Sequence, residues 1–239
     1  MISLRLAAAR HHDRRLRREV WRTFDPVEGT GRLADSFLAL EALDESRLPP
    51  RADVPRRGGG EGEIVTYVRE GTVAYDDSTG HAGVIHAGEF QRMFTAQGAR
   101  HSEANASRVD WAHVFQIRMQ CSAPGFEPGR EQKRFSVADR RGGLCVVASP
   151  DARAGSLRLG QDTWIYSALL EPGQHVVHEL NPAHAAWLHV VQGEITLDDF
   201  VLVTGDGASV ITERAVSLTA RARSEILLFD LAEHSVRGP

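Results

Sequence analysis

The chain has 239 residues, of which 42% are hydrophobic and 25% are charged, and its formal net charge is −4. This length allows one large β domain or two small ones, and the composition is that of an ordinary soluble globular protein. Such a charge gives no general attraction to nucleic acid or anionic lipid, because phosphate binding needs a basic surface. We therefore expect no direct nucleic-acid partner and no membrane partner.

Cysteine usage and the lengths of the apolar segments indicate a cytoplasmic protein. Cys121 and Cys145 are the only cysteines, too few for a disulfide framework and without the spacing of a zinc site. Arg5 interrupts the first apolar stretch, so we expect no signal peptide. No later stretch approaches the apolar length of a membrane span.

In chain order, the first distinctive segment is a basic run at residues 10–18, RHHDRRLRR. Basic arms can bind nucleic acid, but this run lacks interleaved aromatic residues and a recognised reading motif. A solvated surface segment is therefore the favoured interpretation.

From about residue 36 onward, short β-type runs are separated by Gly, Pro, Asp and Asn. This pattern favours an all-β sandwich or barrel. The predicted strands include residues 37–42, 63–68, 72–76, 83–85, 90–95, 112–119, 144–148, 162–170, 174–179, 186–191, 194–197, 209–211, 216–219 and 225–231.

The chain also contains an internal echo. Residues 65–77, VTYVREGTVAYDD, resemble residues 187–199, WLHVVQGEITLDD, and each copy has a strand, a glycine turn and a returning strand. Two similar barrels are predicted from this echo. A turn-rich link at residues 122–129 would not be tolerated inside a strand or helix. We place the boundary shortly after it, giving domains at residues 1–138 and 139–239.

His101 and Glu103 are the most informative pair of side chains. Residues two apart in a strand point to the same face, so both could hold one ion. Histidine with a carboxylate is suitable ligand chemistry for iron, manganese, nickel or zinc.

Several stretches of this sequence resemble the pirin family. In the first half they are residues 63–73 (EIVTYVREGTV), 87–93 (AGEFQRM) and 98–103 (GARHSE). Residues 131–135 (EQKRF) and 149–157 (SPDARAGSL), followed by Gln161 and Asp162, are similar to bacterial pirin-like proteins in particular.

The resemblance implies an all-β bicupin with two antiparallel β-barrel domains of the double-stranded β-helix, jelly-roll-like type. It also implies a divalent metal in the first domain, held by His-x-His on one strand and His-x-Glu on another. Some bacterial members are described as quercetin 2,3-dioxygenases. His101 and Glu103 match the second pair, whereas Arg57 and Gly59 stand where the first two histidines are expected.

The site is therefore predicted to be a degenerate metal site in which His101 and Glu103 remain at low metal occupancy. A guanidinium stays protonated, so Arg57 would repel a cation where an imidazole would bind it. The other expected pocket residues are Arg57, Gly59, Glu61, Glu63 and His113.

Other side chains could in principle replace the lost ligands. Glu61 would be a new oxygen ligand, Glu63 occupies the family's own glutamate position, and His113 is expected to pack beside the pocket. His81 and His86 are further sources of nitrogen.

Two functions follow as hypotheses. The first is a non-catalytic or weakly active protein that binds a small molecule in the first barrel and has a regulatory protein partner, with no metal at full occupancy. The alternative is a quercetin 2,3-dioxygenase using an incomplete or repaired Fe, Ni, Mn or Zn site. In that enzyme Glu103 or a nearby carboxylate would accept the flavonol proton.

Overall fold

A computed structural model describes residues 1–15, 17–24, 36–55, 62–78, 80–95, 101–120 and 129–233. The chain divides into two compact units. The first unit consists of His11–Ser36 and Leu40–Phe135, and the second consists of Met1–Arg10, Phe37–Ala39 and Ser136–Pro239. The expected boundary at residue 138 lies close to Ser136, but the first ten residues, which we assigned to the first domain, group with the second unit.

The first unit contains a large and a small antiparallel sheet. Its strands are β2 (His11–Arg15), β3 (Arg18–Arg22), β4 (Leu40–Leu48), β5 (Gly62–Glu70), β6 (Thr72–Asp77), β7 (Ala82–His86), β8 (Glu89–Thr95), β9 (His101–Asn105), β10 (Ala112–Met119) and β11 (Gly129–Arg134). The large sheet has the order β11-β8-β5-β10-β4-β3-β2, and the small sheet has the order β7-β6-β9.

The second unit repeats this arrangement. Its strands are β1 (Ile2–Arg5), β12 (Cys145–Ser149), β13 (Leu157–Arg158), β14 (Thr163–Leu170), β15 (His175–Glu179), β16 (His184–Gln192), β17 (Glu194–Leu197), β18 (Phe200–Val203), β19 (Gly207–Val210), β20 (Ala215–Ala220) and β21 (Ser224–Ala232). The sheet orders are β1-β19-β16-β21-β14-β12-β13 and β15-β20-β17-β18.

Helical structure in the described residues is limited to short turns. The α-helix α1 (Val137–Arg140) begins with a capping box in which Ser136 and Asp139 satisfy each other's backbone N–H groups. Two 3₁₀ turns lie at Ala7–Ala9 and Arg153–Gly155. Among the described residues, no helix has the length and apolarity needed to cross a membrane.

In each unit the large and small sheets pack face to face around an apolar core, as in a jelly roll. In the first unit this core joins Leu48, Val68 and Val114 of the large sheet to Val73 and Ile85 of the small one. The all-β bicupin fold is as predicted, although the described strands of each unit form two separate sheets rather than one closed barrel.

Two equivalent glycines explain the internal echo. Gly71 joins β5 to β6 with φ +79°, and Gly193 joins β16 to β17 with φ +98°. A Cβ atom at Gly71 would lie 2.6 Å from the Trp111 carbonyl oxygen, and one at Gly193 would lie 2.5 Å from the Arg223 carbonyl oxygen. Only glycine meets both the positive φ and the close backbone approach.

Candidate functional site

Glu103 points into the space between the two sheets of the first unit. Glu103 is only 5% exposed, and it stands directly opposite Tyr75 in the β9–β6 strand pair. One carboxylate oxygen accepts a hydrogen bond from Thr66 Oγ1 at 3.4 Å, and the other accepts one from Gln116 Nε2 at 2.7 Å. Since both donors belong to the large sheet, Glu103 bridges the two sheets.

The polar partners of Glu103 belong to a row across the large sheet. Gln91, Thr66, Gln116 and Asp44 stand directly opposite one another on β8, β5, β10 and β4. Directly paired residues share a face of an antiparallel sheet, so this row faces the small sheet with Thr66 and Gln116. We call this face of the large sheet the inner face.

Arg130 supplies a positive charge on the same inner face. It pairs with Met93, next to the Gln91–Gln132 pair of β8 and β11. Its Nε donates to Asp77 Oδ2 at 3.1 Å, and its Nη1 donates to Gln91 Oε1 at 2.7 Å. The guanidinium carbon also lies 4.5 Å from the centre of the Tyr75 ring, a cation–π distance.

Burial raises the pKa of the Glu103 carboxyl above its ordinary value. The charge of Arg130 and the hydrogen bonds from Thr66 and Gln116 oppose this effect, but they are smaller. Desolvation disfavours the charged form, so burial favours a protonated carboxyl.

His101 lies two residues before Glu103 in β9 and is partly buried. It pairs with Asp77 as Glu103 pairs with Tyr75, with no irregularity in the register. The alternation of strand side chains therefore places His101 and Glu103 on one face of β9.

The described residues do not by themselves fit a transition-metal ion. Within this part of the chain no group of three or more His, Cys, Asp or Glu side chains is arranged to hold one. His101 and Glu103 are two of the ligands that the sequence led us to expect, and a working oxygenase site needs at least three. Arg57, Gly59 and Glu61 lie outside the described residues, so their expected pocket positions remain sequence predictions.

Glu63 and His113 lie on the opposite face of the large sheet, not in the expected pocket. Glu63 is adjacent to the inward residue Ile64 in β5 and accepts a hydrogen bond from Arg92 Nε at 3.1 Å. His113 Nε2 lies 2.8 Å from Glu45 Oε1. Both are an odd number of residues from inward-facing Thr66 or Gln116, so alternation turns them away from Glu103.

A cavity of about 700 Å³ opens beside Glu103, and Arg130 is not among its lining residues. Its walls combine β9, the Asp53–Pro55 segment and the β2–β3 hairpin. The lining residues are His11, His12, Asp13, Arg15, Arg18, Arg22, Asp53, Val54, Pro55, Ser102 and Glu103. Most of the described residues in the basic run at residues 10–18 are exposed, and five of them line this cavity, which the sequence did not indicate.

Sequence reasoning missed Thr66, Gln116, Arg22 and Arg130 as residues around Glu103. A detectable signal existed for two of them. Thr66 and Gln116 are polar residues with apolar neighbours on both sides in the sequence, and burying a polar group is costly unless it has a partner. Arg22 and Arg130 lie in strands that were not predicted.

Comparison with known proteins assigns both halves of the chain. Residues 15–119 match the family model described as Pirin, and residues 146–231 match the model described as quercetinase C-terminal cupin domain. An Escherichia coli (strain K12) protein named quercetin 2,3-dioxygenase is 37% identical over 238 residues, covering 97% of this chain and 99% of that protein. The chain belongs to the pirin family.

Other members of the pirin family extend this result. The crystal structure of bacterial pirin YhhW in complex with nickel(II), from Escherichia coli, has a TM-score of 0.89 and 35% identity, covering 98% of this chain and 100% of that one. A putative quercetin 2,3-dioxygenase of Pasteurella multocida is 32% identical, covering 82% of this chain and 83% of its own. The predicted family and its bicupin fold are therefore confirmed.

Proposed function

We propose that this pirin-family bicupin binds a small molecule in the cavity of its first unit and does not depend on a metal for that role. The observation that carries the proposal is the hydrogen bonding of Glu103. Its two carboxyl oxygens already accept hydrogen bonds from Thr66 and Gln116. A buried carboxyl group held in this way is suited to forming a fixed polar wall.

The donor set supports the same conclusion. His101 and Glu103 supply two metal ligands, and Arg130 places a positive charge near Glu103 that opposes a second cation. By the family resemblance, the sequence has Arg57 and Gly59 where two histidines would complete the set. Fewer ligands and an added positive charge both lower the affinity for a divalent ion.

The alternative function is a metal-dependent quercetin 2,3-dioxygenase. It is favoured by the 37% identity to the Escherichia coli protein of that name and by the nickel(II) complex of YhhW. For this chain it requires further ligands besides His101 and Glu103, for which the sequence suggests Glu61 as a new oxygen donor and His81, His86 and His113 as sources of nitrogen. Glu103 or a nearby carboxylate would then accept the flavonol proton.

Metal content and oxygen uptake decide between the two functions. Protein purified without chelators is analysed for Fe, Ni, Mn and Zn, and oxygen uptake with quercetin is measured before and after incubation with each ion. The Escherichia coli relative serves as the positive control. We expect far less than one ion per chain and no appreciable uptake. A stoichiometric ion coupled to quercetin turnover would establish the dioxygenase instead.

The regulatory partner and the cytoplasmic location belong to the same proposal. A protein that binds a ligand without turning it over acts through what it contacts, so the proposal includes a protein partner whose binding depends on the occupied cavity. The cysteine usage is consistent with a reducing compartment.

A further inference from the structure

Arg22, the last residue of β3, lines the cavity of the first unit. It stands directly opposite Asp44, and Asp44 stands directly opposite Gln116. Arg22 therefore continues the inner-face row that holds Glu103, and it lines the same cavity as Glu103. The guanidinium and the carboxyl form two walls of one space.

The guanidinium of Arg22 is partly buried but is not used within the described part of the chain. The Arg22 side chain makes no hydrogen bond, ion pair or ring contact among the described residues, although most neighbouring arginines have such partners. Arg18 donates to the Asp53 carbonyl oxygen at 3.4 Å, and Arg15 lies 3.4 Å from an oxygen of Asp13. No nitrogen of Arg22 is among the buried side-chain atoms that lack a partner in the described residues, so its donors remain accessible to a ligand in the cavity.

We infer that Arg22 binds an anionic oxygen group, such as a carboxylate, of the small molecule that occupies this cavity. The planar fork of a guanidinium matches a carboxylate in a two-point hydrogen bond, and such charge-assisted bonds are stronger than neutral ones. The inference rests on the proposed function and names the chemical class of its ligand.

The surrounding charges favour an anion over a cation. Arg15 and Arg18 are directly paired across β2 and β3, and His11 is directly paired with Arg22. All four side chains line the cavity. The carboxyl groups of Asp13, Asp53 and Glu103 line the same cavity and offset this charge, while Arg22 is the lining arginine whose side chain has no partner among the described residues. The hairpin therefore attracts an anion, and Arg22 fixes its position.

Benzoate and benzamide test the inference because they have similar shapes and differ in charge. Their binding to chelator-treated protein is measured by ligand-observed NMR, since affinities of fragments are weak. We expect wild type to prefer benzoate. Arg22→Gln should weaken benzoate binding about tenfold, the loss of one charge-assisted hydrogen-bonding group. Benzamide binding should barely change.

Two further variants make the result specific. Arg22→Lys retains the positive charge but not the planar guanidinium. Its affinity for benzoate should therefore fall about threefold, and it should still prefer benzoate to benzamide. Arg14→Gln is the matched control, because Arg14 belongs to the same hairpin but has a 71% exposed side chain and pairs with Glu19. It should bind like wild type.

The outcomes separate this inference from the proposed function. No preference for benzoate in wild type, or unchanged benzoate binding in folded Arg22→Gln, overturns the role of Arg22. If Arg22→Gln does not fold, an Arg22→Lys variant that binds benzoate as tightly as wild type overturns it equally. Failure of the proposed function is read from metal content and quercetin turnover, which these binding measurements do not use.

Discussion

The most deeply buried single carboxyl group of the second unit, that of Asp230, is held by specific partners. Asp230 of the second unit is completely buried, with His178 Nε2 2.8 Å from one carboxylate oxygen and His184 Nδ1 2.7 Å from the other. With the carboxylate oxygens as acceptors, each imidazole donates through the nitrogen that faces it. Asp230 thereby fixes the orientation of both rings.

Asp230→Asn should lower the free energy of unfolding by about 2–4 kcal/mol. The amide turns an N–H donor toward one imidazole that already donates, so a buried hydrogen bond is lost. Urea unfolding followed by far-UV circular dichroism measures the change.

Asp162→Asn is the control for Asp230→Asn. Asp162 lies 3.5 Å from His184 Nε2, but its side chain is 64% exposed. An exposed ion pair contributes little, so we expect a change below about 0.5 kcal/mol. Equal unfolding midpoints for the two variants would contradict the bridging role of Asp230.

At the scale of elements, β5 carries different chemistry on its two faces. Thr66 faces inward to Glu103, while Glu63 faces the other way and pairs with Arg92, with side-chain exposures of 1% and 7%. The family's glutamate position suggested a pocket residue at Glu63. The alternation of the strand decides otherwise, and a motif alone does not reveal which face a residue takes.

Glu63→Gln should lower the free energy of unfolding by about 1.5–3 kcal/mol, because it replaces the buried charged acceptor of Arg92 Nε with a neutral one. The same variant should bind benzoate like wild type, since Glu63 does not line the cavity. Thermal or urea unfolding and ligand-observed NMR measure the two effects.

Glu70→Gln provides a control for Glu63→Gln at the end of the same strand. Its side chain is 63% exposed and pairs with Arg69, so the substitution should leave stability nearly unchanged. If Glu63→Gln alters benzoate binding while its stability stays at the wild-type value, the assignment of Glu63 to the reverse face is wrong.

At the scale of the whole molecule, the sequence predicted what is local or repeated. The echo between residues 65–77 and 187–199 correctly gave two strand–glycine–strand units, because Gly71 and Gly193 are required by local backbone geometry. The pairing of β1 with β19, such as Ile2 opposite Val210, joins residues about 200 positions apart. No local pattern specifies such a partner.

The candidate site shows the same division. His101 and Glu103 could be recognised from their spacing, since that depends only on strand alternation. The contribution of Arg130 depends on β11 lying beside β8, and that of Arg22 depends on β3 lying beside β4. Both are tertiary pairings, so the charges around Glu103 could not be placed from the sequence.

A complete set of metal ligands in the first unit would combine residues 57 and 59 with His101 and Glu103. If the site lacks only ligands, Arg57→His together with Gly59→His should restore a His-x-His pair to complement His101 and Glu103. Each single variant supplies three ligands and should bind nickel(II) more weakly than the double variant, because affinity depends on ligand number and geometry. Nickel titration of wild type, both single variants and the double variant at one pH measures this order.

The positive charge of Arg130 could by itself prevent the double variant from binding nickel(II) more tightly than wild type. This charge opposes the rise in the Glu103 pKa that burial causes. The same positive charge also repels a cation bound beside Glu103. If the folded double variant gains no affinity for nickel(II), adding Arg130→Gln to it should raise that affinity. The control is Arg134→Gln added to the double variant, because Arg134 lies at the exposed end of the same strand. No gain in the folded triple variant would mean that the first unit has lost more than ligands and charge balance, and His101 and Glu103 would no longer count as a metal-site remnant.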